Sequence, residues 1–117
     1  MGGFSYGCGT VYSISLRGKE TVLHSFTGLD GEYPFAGLVN VKGLLYGTTT
    51  GGGTYGKGTV YSITTTGTEN VLYSFGGGSD GAIPYSGLVD VKGTLYGTTT
   101  EGGGTGCGGM AAEQVTA

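Results

Sequence analysis

Apolar positions along the chain fall in short runs divided by glycines, and no long segment carries an apolar stripe at helical spacing. In the middle of the chain Leu38 to Val41 forms one such run. Leu44 to Thr49 follows after Lys42-Gly43, a pair that predicts a two-residue hairpin turn with glycine supplying positive φ. A glycine-rich loop, Gly51 to Gly58, leads into Thr59 to Thr64, where Val60, Ser62 and Thr64 alternate with Tyr61 and Ile63 at the period of two that marks a strand. A turn around Thr66-Gly67 precedes Asn70 to Phe75, rich in β-branched and aromatic residues. The pattern predicts four short strands and almost no helix.

These strands belong to an internal repeat. Residues Tyr6 to Phe26 match Tyr55 to Phe75 at 14 of 21 positions with an offset of 49, and Asp30 to Thr50 match Asp80 to Thr100 at 15 of 21 with an offset of 50. The extra residue lies between Phe75 and Asp80, in a Gly-Gly-Gly-Ser stretch where a loop absorbs an insertion. On this register residues 6–26 are the third and fourth strands of one unit, 37–75 is a complete unit, and 87–100 supply the first and second strands of another. The repeats occupy residues 1–109, and the final stretch 110–117 (MAAEQVTA) leaves the pattern.

Four strands in a period of about 50 residues are the mark of a β-propeller blade of kelch-like length. The expected fold is therefore all-β, with two blade equivalents per chain. A propeller ring takes about four to eight blades, so two equivalents point to a homo-oligomer. Three chains would give six blades, the favoured arrangement, and four would give eight. A heterologous contact of this kind closes when its rotation divides the circle and otherwise makes a filament. The competing expectation is a piece of a longer array. Composition agrees with this reading: 29 glycines in 117 residues would suggest disorder without a period, but here there is one. With 11% charged residues and a net charge of −3, neither a nucleic-acid stripe nor an acidic tail is expected. No apolar run approaches the roughly 18 to 20 residues of a membrane helix, and the N-terminus lacks the basic and apolar regions of a signal peptide.

The segments LYGTTT, GGG, YGKGTVYSI, VLYSF and SDGAIPYSGL resemble the GloVer tandem repeat, described from Gloeobacter and Verrucomicrobia proteins, over Gly3 to about Gly108. Leu45-Tyr46-Gly47 through Gly51-Gly52-Gly53 to Gly58-Thr59-Val60-Tyr61 also resembles the kelch pattern, without the tryptophan common late in kelch repeats. The resemblance implies a bacterial, propeller-like repeat of extracellular or cell-surface type with no established activity.

Candidate chemistry concentrates on the longer loops, where a rigid scaffold presents functional residues. Alternating strand direction assigns Asp30, Glu32, Tyr33, Phe35, Tyr55, Lys57, Asp80, Tyr85 and Glu101 to one face, and Arg17, Lys19, Lys42 and Lys92 to the tight-turn face. Aromatic rings offer apolar faces to sugar C–H groups, and carboxylates accept hydroxyl hydrogen bonds. Asp30, Glu32, Tyr33, Phe35, Asp80, Tyr85 and Tyr55 are thus the candidate ligand residues for a carbohydrate or peptide. The alternative for Asp30 and Asp80 is turn chemistry, Asp bonding nearby backbone while Gly takes positive φ. A non-catalytic, lectin-like module is expected, with a purely structural repeat, or a fragment of a larger extracellular propeller protein, as the alternative.

Catalysis finds little support. His24, the one histidine, aligns with Tyr73 in the repeat, which reads as an amphipathic strand position. Gly51 to Thr59 superficially follows a phosphate loop, but Gly58 stands where Ser or Thr belongs and the loop enters a strand rather than a helix. No calcium-loop alternation of oxygen ligands is present, no cofactor is implied, and Cys8 and Cys107 lack zinc-ligand spacing. The two cysteines share one loop register, so a seam between chains would bring them together for an intermolecular disulfide; two free thiols are the alternative.

Overall fold

The computed structural model describes residues 7–104. Eight strands occur and, among the described residues, no helix: β1 (Thr10–Ile14), β2 (Glu20–Ser25), β3 (Val39–Val41), β4 (Leu44–Thr49), β5 (Thr59–Ile63), β6 (Glu69–Ser74), β7 (Val89–Val91) and β8 (Thr94–Tyr96). They pair antiparallel into a two-stranded β1–β2 sheet, a four-stranded sheet in the order β3-β4-β5-β6, and a two-stranded β7–β8 sheet. The chain is all-β in small antiparallel sheets, with strand ends within a residue of the pattern-based expectation in the central copy.

Local chemistry explains the register. In the β3–β4 hairpin Val41 pairs with Leu44, enclosing Lys42 and Gly43. Both take positive φ, 54° and 90°, the type I′ geometry that matches strand twist. Asn40 Oδ1 accepts the Gly43 N–H at 2.8 Å, and Asp90 Oδ1 accepts the Gly93 N–H at 2.9 Å in the second copy. Glycine alone does not carry the turn, since Lys42 and Lys92 share the left-handed conformation. A bulge recurs too, between Val11 and Tyr12 in one copy and between Val60 and Tyr61 in the other.

The core sits where the β1–β2 sheet meets the central sheet. Val11, Phe26, Tyr61 and Ile63 are buried together, with Cys8, Leu23 and Leu45 packed around them. Phe26 meets Tyr61 edge-on, ring centroids 5.1 Å apart at 70°, the favoured geometry for aromatic quadrupoles. Strand β5 is covered on both faces: Ser62 and Thr59 are buried alongside Tyr61 and Ile63, and the Thr59 hydroxyl meets that of Thr49 at 2.8 Å.

The outer copies of the same residues are exposed. Tyr61 and Ile63 are 1% and 0% accessible, whereas Tyr12 and Ile14, their equivalents in β1, are each 58% accessible. Strand β5 has neighbours on both edges and the β1–β2 sheet over its face, while β1 has β2 alone. Strand β8 likewise keeps three residues where β4 runs for six, because β4 has β5 as a second partner.

Candidate functional site

Successive sheets are joined by linkers that contain the Asp-Gly and Pro positions of the repeat. Tyr33 and Ile83, each just before a proline, stand at φ 58° and 59°, a conformation rare for any side chain and rarest for a β-branched one. Hydrogen bonds on both sides hold them there. Tyr33 donates its N–H to Cys8 O at 2.9 Å and accepts from Thr50 N–H at 2.9 Å, and Ile83 donates to Lys57 O at 2.8 Å and accepts from Thr100 N–H at 3.0 Å. Glu32 pairs with Gly51 and Ala82 with Glu101 in the same way. Each linker is thereby strapped between the glycine-rich loop of one unit and the end of the second strand of the next.

The straps set aromatic rings on the surface. Tyr33 and Phe35 stack with centroids 6.4 Å apart at 29°, and Phe35 meets Tyr85 of the following linker at 5.7 Å and 41°. All three are more than half exposed, at 55%, 67% and 52%. Phe35 and Pro34 also wall two adjoining hollows, one of about 410 Å³ reaching Tyr12 and Leu38 and one of about 440 Å³ reaching Gly7 and Cys8. The exposed rings and the hollows beside them form one continuous stretch of largely apolar surface.

The remaining candidates go elsewhere. Asp30 Oδ1 accepts from the Thr27 N–H at 2.8 Å and the Thr27 hydroxyl at 3.0 Å. Asp80 accepts from the N–H groups of Gly76 at 2.9 Å and Gly78 at 3.2 Å, and from the Tyr73 hydroxyl at 2.6 Å. Both carboxylates cap their loops, and Gly31 and Gly81 take φ of 132° and 96°, as Asp-Gly turn chemistry requires. Glu32 lies beside Cys8, whose thiol donates to its Oε1 at 3.8 Å. Tyr55 is exposed in the glycine-rich loop near Gly76, on the Asp80 side. Cys107 lies outside the described residues, and Cys8 forms no disulfide among the described residues.

One grouping escaped the sequence reading. His24 Nε2, on β2, lies 2.7 Å from Asp30 Oδ2 and 3.7 Å from Glu69 Oε1, the latter at the start of β6 in the neighbouring sheet. Phe26 packs edge-on against the imidazole at 4.9 Å. Burial pushes the Glu69 carboxyl up to about 7, and the negative charge of Asp30 adds to the rise while His24 opposes it. Burial also raises the Tyr61 hydroxyl to about 12, with the nearby Glu69 adding to it. For Asp30, desolvation acts upward but is outweighed by hydrogen bonds from Thr27 and His24, leaving it below the usual value. The second copy shows what the histidine replaces: Tyr73 bonds Asp80 where His24 bonds Asp30. That alignment was the available signal, since both residue types reach the same loop carboxylate.

Fold and surface together define an all-β repeat protein whose sheets are tied by strained, hydrogen-bonded linkers. Residues 1–111 match the model of the Gloeobacter/Verrucomicrobia repeat, and the chain belongs to that family. Neither the curated proteins nor the solved structures gave a match.

Proposed function

We propose that the chain is a non-catalytic, lectin-like binding module that works as a self-assembled, kelch-like β-propeller, a trimer being the favoured form. The observation that carries the binding reading is the row Tyr33, Phe35 and Tyr85, three exposed rings from two successive linkers in mutual contact. Such a row suits the apolar faces of a carbohydrate, and several copies on one ring would turn weak sites into avid surface binding. A glycan array probed with the intact protein tests it. Binding that is lost in Tyr33→Ala and Tyr85→Ala, with the strand circular dichroism unchanged, is expected. Absence of binding to every glycan, or equal binding by both variants, overturns the lectin reading.

Self-assembly is supported by the contrast between buried Tyr61 and Ile63 and exposed Tyr12 and Ile14. By repeat equivalence Phe75 stands to the next unit as Phe26 stands to Tyr61, so Phe75 of one copy would cover Tyr12 of another. The two-, four- and two-stranded sheets add up to two four-stranded blades per chain, so three chains complete six. Light scattering is expected to give about three times 11.7 kDa; a monomer at all concentrations overturns the ring. The seam would also bring the Cys8 and Cys107 loops together, which makes a reductant-sensitive dimer band on gels the check for an intermolecular disulfide.

A second reading has its own support. The Asp30 and Asp80 carboxylates are already engaged in loop capping, and Glu32 is occupied by Gly51 and Cys8. A purely structural repeat without a ligand of its own would use them in this way, and an assembly that binds no glycan yet resists unfolding would favour it.

A further inference from the structure

The geometry points to a divalent transition-metal site, of the zinc class, formed by His24, Asp30 and Glu69 at the junction of the β1–β2 sheet and the central sheet. One ligand atom from each of the three lies within 4.8 Å of the others. An imidazole with two carboxylates is a donor set suited to zinc and its neighbours rather than to calcium, which takes six to eight oxygens.

The independent sign of a ligand is Glu69. Its side chain is only 7% accessible, its Oε1 faces His24 at 3.7 Å, and its Oε2 is buried with no hydrogen-bond partner among the described residues. A buried carboxylate with an unsatisfied oxygen is expensive, and a cation bound at its other oxygen offsets the cost by neutralising the charge the two oxygens share. The surroundings prepare the other two ligands. Thr27 occupies Asp30 Oδ1 through its N–H and its hydroxyl, which leaves Oδ2 directed at the imidazole. Phe26 fixes the ring of His24 from its edge. Oriented ligands of this kind are what outer partners give a metal site.

The fit requires small movements. Zinc ligands at about 2.0 to 2.2 Å in tetrahedral array stand about 3.3 Å apart. The His24–Asp30 pair, at 2.7 Å, opens slightly, the His24–Glu69 pair, at 3.7 Å, closes slightly, and the two carboxylates, within 4.8 Å of each other, draw together as the ion neutralises them. Solvent reaches His24 and Asp30, which are 20% and 21% accessible, so a fourth ligand enters from that side. The bound ion would staple β2 and its following loop to β6. The second copy carries Tyr73 with Asp80 and offers no imidazole. This site does not depend on the lectin reading.

Zinc chloride is the probe, titrated calorimetrically into chelator-treated protein of full length. The titration uses a Cys8→Ser, Cys107→Ser background, which removes thiolate ligands. One zinc per chain is expected, with a higher melting temperature on addition. Affinity should fall at least tenfold in His24→Tyr, which borrows the residue pair of the second copy and so keeps the fold, and in Glu69→Gln. As a separate readout, His24 is the only histidine of the sequence, so zinc must shift the one set of imidazole resonances in the nitrogen–proton spectrum. No stoichiometric binding, binding unchanged in both variants, or saturation with unmoved imidazole resonances each overturns the proposal.

Discussion

Tyr61 and Tyr12 hold the same place in two copies of one repeat, yet one is 1% and the other 58% accessible in the single chain. Truncating each to alanine separates what the chain does alone from what it does in company. Tyr61→Ala removes a ring packed against Phe26 at 5.1 Å, and loss of a buried large aromatic costs about 3–5 kcal/mol. For a small domain of about 5–15 kcal/mol total stability that is a large share, so the melting midpoint should fall steeply. Tyr12→Ala removes little from the isolated chain. If a second copy covers the exposed 58% of that ring, about 115 Å² leaves water at each seam, worth about 3 kcal/mol, or about a hundredfold in association. Light scattering across a dilution series reads the effect directly. The mutant should keep its strand circular dichroism and dissociate at protein concentrations about a thousandfold higher than the parent, because a closed trimer loses three such seams and its midpoint scales as the square root of its dissociation constant. Identical masses for parent and mutant at every dilution would refute the inference that Tyr12 lies in a seam.

Further tests follow from single residues. Gly58, at φ 104°, would place a Cβ 2.6 Å from both Pro84 Cδ and Thr49 O, whereas Gly43, at φ 90°, faces open space. Gly43→Ala should cost about 1 kcal/mol from backbone strain alone, and Gly58→Ala clearly more, read as the difference in thermal midpoints. Thr49→Val leaves the Thr59 N–H and Gly51 O without the hydroxyl they bond at 3.1 and 2.9 Å, and should destabilise by about 1–3 kcal/mol in urea titration. Asp80 is held below its ordinary 3.8 by the Tyr73 hydroxyl first and then by the Gly76 N–H. Because the folded value is depressed, its charged form favours folding above pH 3.8, and that contribution disappears as the pH falls through the folded value. Asp80→Asn should therefore melt below the parent at neutral pH and converge with it in acid; a gap independent of pH would contradict the capping role.

The strands were legible because their signals are local. Alternation at Thr59 to Thr64, the Lys42-Gly43 turn and the β-branched run before Phe75 each act within a few residues, and the repeat doubled every one of them. The strand ends differed by a residue because fraying depends on neighbours: Phe75 bonds Gly58 O from just beyond β6. The aromatic candidates were legible as types, but their mutual contact was not, since Phe35 and Tyr85 are 50 positions apart and meet through the stacking of linkers. The strain at Tyr33 and Ile83 was hidden for the same reason, because it is imposed by hydrogen bonds from two different loops. Glu69 was the least visible residue of all. It looks like the exposed start of a strand, and becomes buried because the turn before it packs against the first sheet, where an added Cβ on Gly67 would meet Leu23 O at 2.7 Å.

A repeated chain carries its own control, and the control separates scaffold from chemistry. Positions that both copies share, such as the loop-capping aspartates, the hairpin lysines at positive φ and the threonines whose hydroxyls bond the carbonyl two residues on, Thr49 to Gly51 and Thr99 to Glu101, perform the same structural task twice. At two positions where the copies differ, the scaffold gives no reason for the choice. Ile83 occupies the strained position as firmly as Tyr33, so the tyrosine ring is not needed to hold the strap. Tyr73 satisfies its loop aspartate as closely as His24, so the imidazole is not needed to hold the loop. Both departures, together with Glu32 in place of Ala82, fall on the first linker and the strand that feeds it. Tyr33 of the exposed ring row and the imidazole–carboxylate group therefore share one junction between sheets, and substitutions that exchange the two copies' residues there should alter binding while leaving the fold in place.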